Sequence, residues 1–296
     1  LIKGPLEEFL KAAFGGFILE GPTVLPLRIG FGFGKTHGQI FLLHAFLASD
    51  RLPEEARAAL INLGWDETIA QRSIVLPLDF FTLDPPSPRM SKVARAHAEE
   101  GTGFCRSKEV AKKVEESKEV LLSGFLESDR FAGLLADIAL STGSPLLVMI
   151  DELGLGFVRR AQKLREAEKQ GKLLEEDPLA EINWLSSFLT SLAGRSERDG
   201  FPLVIVYAWA EQDAETLRYY AAEDERINNT LGIVRGEVVE RLSRYTGGMR
   251  EGPLGLNPDD MLDIALFRVL EFPEEEAERR VREWVEKYGS IVGKTL

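Results

Sequence analysis

Four short apolar runs constrain this chain more than any other feature of its sequence. They are "TVLPLRIG" from Thr23, "SIVLPLDFF" from Ser73, "PLLVMIDE" from Pro145 and "FPLVIVYAWA" from Phe201. Each is nearly continuous rather than alternating, the pattern of a strand buried on both faces. Helix-length segments separate the runs, and strand–helix alternation predicts a mostly parallel sheet covered by helices on both sides. At 296 residues the chain can hold one large α/β domain, or a core with a small appendage, and its 44% apolar content supplies the core.

Between the strands, residues 5–13 read as a short helix opened by Pro5. Helices follow over His37 to about Ser49, carrying Ile40, Leu43, His44 and Phe46, and over Pro53–Leu63. Residues 88–128 form a charged helical insertion interrupted by "EEGTGF", and "DRFAGLLADIAL" is a buried helix feeding the third strand. A charged helix is predicted at about 156–172. Another opens at Asp177-Pro178, places Ile182, Leu185, Phe188, Leu189 and Leu192 on one face, and is expected to stop at Gly194. The tail changes character. "NPDDMLDIALFRVL" has Asn257 as N-cap with Pro258 after it, and "PEEEAERRVREWVEKY" carries i,i+4 pairs such as Glu275–Arg279. The expected division is a core over 1–222, with its insertion at about 88–128, and a helical, lid-like subdomain over 223–296.

The first strand runs into "GFGFGKTH". A phosphate-binding P-loop needs a delivering strand, glycines that let backbone amides approach oxygens, and a helix N-terminus beneath the phosphates. All three are predicted here. Gly30, Phe31, Gly32, Phe33, Gly34, Lys35, Thr36 and His37 are the candidate nucleotide-binding residues. Lys35 would reach the β- and γ-phosphates, the Thr36 hydroxyl would ligate Mg²⁺, and the His37 amide would reach the α-phosphate. The pattern is G-x-G-x-G-K-T, because Ile29 stands where the common motif has its first glycine. A second "GKT", Gly293–Thr295, follows a predicted helix and no strand, so its context fails.

The third strand ends in Asp151-Glu152. Asp151 would hold the Mg²⁺ shell, and Glu152 would polarise the attacking water as the catalytic base, with Lys35 the other catalytic group. Both motifs fall at C-terminal strand ends, where open α/β sheets bind ligands. The Asp-Glu pair favours water as nucleophile, hence an ATP hydrolase.

"GFGFGKTH", "LLVMIDELG" and "NPDDMLDIALFRVLEF" together resemble an uncharacterised family of prokaryotic AAA-type ATPases, known only as a domain of unknown function within the AAA and STAND-like ATPases. The resemblance covers roughly residues 20–280. It implies a P-loop NTPase three-layer sandwich with a C-terminal helical subdomain, and ATP and Mg²⁺ bound by Gly32, Gly34, Lys35, Thr36 and Asp151 with Glu152 catalytic. It implies no substrate. Such an ATPase also uses a polar sensor, for which Gln212 or Glu211 after the fourth strand are candidates, and an arginine acting in cis or from a neighbour, for which Arg241 and Arg244 are candidates.

The basic run "RRAQKLREAEKQGK" offers either a partner-contacting stripe or, with Glu166 and Glu168 interleaved, a solvated helix. The formal net charge of −12 argues against a nonspecific nucleic-acid clamp. The single Cys105 suits a reducing compartment and has no partner base. His44 and His97 lack metal-ligand spacing. No apolar run approaches the roughly 20 residues that span a bilayer, and no signal-peptide pattern opens the sequence, so a cytoplasmic location away from membranes is expected. Five Asn and five Gln against 36 basic and 48 acidic side chains is a bias of heat-adapted proteins. The leading expectation is a Mg-dependent ATPase that binds ATP and ADP and moves its own helical part or a partner, in a homo-oligomer or larger complex. Two alternatives stand beside it. Copurified nucleotide with negligible turnover marks a nucleotide-gated switch or scaffold. Salt-sensitive stimulation by DNA or RNA marks a nucleic-acid motor or defence ATPase.

Overall fold

The four apolar runs become the four strands of one sheet: β1 (Pro22–Leu27), β2 (Ile74–Asp79), β3 (Leu146–Asp151) and β4 (Leu203–Ala208). All neighbours are parallel and the order is β1-β4-β3-β2. The computed structural model describes residues 5–27, 35–79, 105–117, 127–174 and 177–246. The chain divides into two compact units, Leu1–Leu254 and Gly255–Leu296, and every described residue belongs to the first. The part of the expected lid beyond residue 246, and the parts of the expected insertion at 88–104 and 118–126, lie outside the described residues.

Proline decides which strands are edges. Pro26 and Pro77 sit in β1 and β2, the two ends of the sheet among the described residues, whereas β3 and β4 contain none. Amides alternate sides along a strand, so the partners of two residues fix the prolines' direction. The Val24 amide donates outward to the Tyr245 carbonyl (3.1 Å), and the Ile74 amide donates inward to Pro145 (2.8 Å). Pro26 has the parity of Val24, and Pro77 the parity opposite to Ile74. Both missing N–H groups therefore fall on the side away from the sheet, where they cost no ladder bond.

Strand alternation sorts the core into two layers. On one face Leu25, Leu27, Val75, Leu147, Met149, Val204, Val206 and Ala208 meet α1 (Pro5–Gly16), α2 (Lys35–Leu47), α3 (Glu54–Asn62) and α4 (Glu67–Arg72). On the other, Ile74, Leu76, Val148, Ile150, Ile205 and Tyr207 meet α5 (Lys108–Glu116), α6 (Ser128–Thr142), α7 (Leu153–Lys169) and α8 (Ala180–Asp199). The same layer takes in α9 (Glu211–Ala221), α10 (Glu225–Ile233) and the π-helical Val234–Arg241. Among the described residues the architecture is thus an α/β sandwich, an all-parallel sheet between two helical layers.

Two expected boundaries move. The charged helix after β3 begins at Leu153, directly after the acid pair, not at 156. The helix expected to stop at Gly194 runs on to Asp199, where Gly200 takes the left-handed conformation (φ 77°) that closes it. Gly194 survives inside the helix because its neighbours hold the turn. Leu192 and Ala193 are buried, and the buried Ser196 hydroxyl donates to Phe201 O at 2.6 Å, tying the helix end to the entry of β4. Those contacts outweigh the roughly 0.5–1 kcal/mol that an interior glycine costs.

Candidate functional site

The C-terminal ends of the strands form one row. Leu27 pairs with Ala208, Asp79 with Asp151, and the Ile150–Tyr207 pair sets Asp151 level with Ala208. The strand carrying the glycine loop and the strand carrying the acids therefore lie either side of β4, roughly 10 Å apart at two strand spacings. Helices leave β1 on one face and β3 and β4 on the other. That divergence is a topological switch point, where open parallel sheets take ligands.

Of the candidate loop, Gly30, Phe31, Gly32, Phe33 and Gly34 lie outside the described residues. Lys35, Thr36 and His37 form the first turn of α2, so the helix begins where the motif requires it. The rest of α2 explains its position. Leu42, Ala45 and Phe46 are buried, Phe46 meets Phe17 with ring centroids 4.5 Å apart, and the Trp65 indole donates to Ala45 O at 3.2 Å. Gln39, 5% exposed, donates its Nε2 to the carbonyl of Ile150 at 3.3 Å. That bond ties the helix after the glycine loop to the residue immediately before Asp151, and nothing in the sequence pattern signalled it.

Asp151 is half-buried on the face that carries α2, and its carboxylate accepts from the Glu152 amide at 3.0 Å. Glu152 has φ 54° and ψ 34°, the only non-glycine positive φ among the described residues. Left-handed backbone costs an ordinary residue about 1–2 kcal/mol. A fully extended Glu152 would point to the face opposite Asp151; the left-handed turn instead ends β3 and opens α7 in a single residue.

Two glycines begin α7, and one of them has a structural reason. A Cβ on Gly154 would stand 2.6 Å from Oδ2 and 2.9 Å from Cβ of Asp213, which is 5% exposed in the first turn of α9. Further along, Arg160 is 3% exposed and Glu181 1%. The Arg160 Nε and Nη2 donate to Glu181 Oε2 at 3.0 and 2.5 Å, and Nη1 donates to Gly156 O at 2.9 Å. The basic run is therefore not simply solvated. Arg160 crosses to α8, and Arg165 pairs with Glu223 while lying over the Tyr220 ring at 4.5 Å.

Two residues of this edge were missed from the sequence, Asp213 and Asp79. Asp79, the last residue of β2, shares a register position with Asp151. Its signal was present, since "SIVLPLD" ends an apolar run in an acid just as "LLVMID" does. Asp213 carried none, being one acid among several opening a helix.

The remaining candidates scatter. Gln212 is exposed in the first turn of α9, a few residues past the end of β4, and Glu211 begins that helix. Arg241 is exposed and paired to Glu237 at 2.8 Å beside α8. Arg244 bonds Glu197 at 3.3 Å near the end of α8 and stacks on Tyr245, whose carbonyl meets Val24 near the start of β1. Arg244 thus sits toward the N-terminal edge of the sheet, away from Asp151 in the same chain. Cys105 is buried, and desolvation pushes its thiol up to about 11, so it is held unreactive. His44 is exposed and His97 lies outside the described residues. Among the described residues no group of three metal-ligating side chains occurs, and no helix is long and apolar enough to cross a membrane.

Two features of the described residues suit a magnesium–phosphate ligand. The thirteen-residue α2 aims an amide-bearing N-terminus at the C-terminal edge of the sheet. Asp151 receives one donor from the described residues and keeps further acceptor positions. No protein-family profile, curated protein or solved structure matches the chain.

Proposed function

We propose that this chain is a Mg-dependent ATPase of the P-loop class, of the AAA type that its motifs resemble. One observation carries the reading: a Gly-rich strand-to-helix connection and an Asp-Glu strand end share one edge of a parallel sheet, and Gln39 joins them by its bond to Ile150 O. The backbone amides of 30–37 and the Lys35 amine would bind the phosphates, and Thr36 and Asp151 would hold Mg²⁺. The metal would neutralise charge on the phosphate oxygens. Glu152 would accept a proton from the attacking water, held in place by the short turn between β3 and α7. The expected partners, a second copy or a larger complex driven by the nucleotide cycle, belong to the same proposal.

Substitution of the two ends separates binding from chemistry. Lys35→Ala should abolish Mg-ATP binding measured by calorimetry. Glu152→Gln should bind Mg-ATP as the parent does and lose turnover by about a thousandfold, roughly 4 kcal/mol of barrier. Normal hydrolysis by Glu152→Gln would exclude the assigned mechanism.

A further inference from the structure

The left-handed turn at Glu152 opens α7 without a side-chain capping bond from Glu152 itself. In the first turn of a helix the leading amides lack intrahelical acceptors, and they favour negative charge. Here the first intrahelical bond runs from the Gly156 amide to Glu152 O at 2.8 Å. The Asp213 carboxylate lies against that turn, so close to Gly154 that only glycine leaves room. Asp213 is nine-tenths buried or more, so it is not a solvent-facing acid of α9. Its helix in turn packs along α7, with Arg165 engaging Tyr219, Tyr220 and Glu223.

We propose that Asp213 is a positioning residue for the ATPase site: packed into the Gly154 notch, it clamps the first turn of α7 and thereby fixes the strained backbone that presents Glu152. The proposal rests on the ATPase reading for its catalytic consequence, and on the packing and charge of the buried carboxylate for the clamp. It differs from a phosphate-sensing role in that it requires no contact between Asp213 and the nucleotide. It also links α9, the helix after β4, mechanically to the acid pair after β3.

The test uses the full chain with Asp213→Ala and the isosteric Asp213→Asn, the latter guarding against a variant that does not fold. Amide hydrogen exchange at 153–157 should quicken by about tenfold, while exchange at 185–193 in α8 stays at the parent rate. In steady-state assays kcat should fall by about tenfold or more with KM for Mg-ATP within about twofold, the signature of a misplaced catalytic group and not of lost binding. Unchanged exchange at 153–157 in the folded variants overturns the clamp. Quickened exchange with a parental kcat overturns its link to Glu152. If the parent chain neither binds nor hydrolyses Mg-ATP, the ATPase reading fails on its own, and the exchange result still decides the clamp.

Discussion

Two connections leave the same edge of the sheet, and they are built in opposite ways. Between β1 and α2 the chain spends seven residues, 28–34, three of them glycine. Between β3 and α7 it spends one, Glu152, in a conformation glutamate avoids. The first connection gives up side chains, which suits a task done by backbone amides. The second gives up conformational freedom, which suits a task done by carboxylates at fixed positions. Their anchors differ in the same sense. α2 is tied to β3 by a neutral side-chain bond from Gln39, whereas α7 is tied to α8 by a buried ion pair and to α9 by the Gly154–Asp213 contact.

The ion pair gives the largest effect. Arg160→Met leaves Glu181 charged and buried without its guanidinium, and should cost about 3–5 kcal/mol, read as a fall in the urea midpoint. Arg160→Met combined with Glu181→Leu should recover most of that loss, because the desolvation of both charges disappears together. If the double variant is no better than the single one, α7 is held chiefly by other contacts, and the contrast between the two connections weakens.

Next comes the notch. Gly154→Ala forces Asp213 or the first turn of α7 to shift, and should destabilise by about 1–3 kcal/mol, the usual range for overpacking. Asp213→Gly removes the three atoms that would lie nearest a Cβ at 154. In that background the same alanine should cost less than half as much, a non-additivity that a double-mutant cycle measures directly. Additive costs would mean that Gly154 is required for another reason.

How far these features were legible depends on range. The strands were readable because buried parallel strands are continuous apolar runs, and the acid pair because it ends such a run. The order of the sheet was readable in part and was not read: Pro26 and Pro77 already mark β1 and β2 as edges, leaving the proline-free "LLVMID" and "LVIVYA" for the centre. The far end of α8 was misjudged because Gly194 looks like a terminator, and only Ser196 meeting Phe201 reveals that Gly200 takes that role. Gln39, Arg160 and Asp213 were beyond reach for a common reason. Each acts on a partner from a different element, Ile150, Glu181 or Gly154, and periodicity within one helix cannot distinguish a polar residue crossing the core from one facing water. Arg160 is the clear example, since it sits in a run of cations whose charge pattern favours solvent.

The smallest effect isolates the strain itself. Glu152→Gly and Glu152→Ala both remove the carboxylate, so both should lose turnover, and neither keeps whatever contact that carboxylate makes. They differ in the backbone. Glycine takes φ 54° freely, while alanine pays the left-handed penalty of about 1–2 kcal/mol, offset by the 0.4–1 kcal/mol that alanine gains through a less disordered unfolded chain. Glycine should therefore be the more stable of the two by about 1 kcal/mol. At exposed Gln162, inside α7, the same pair should rank the other way, alanine ahead by about 1 kcal/mol, as in any ordinary helix interior. An opposite sign at these two positions, ten residues apart, would show that the turn after β3 holds its glutamate against the backbone's own preference. The same sign at both would mean that the turn is relaxed, and that the contrast with the glycine-rich connection is one of length alone.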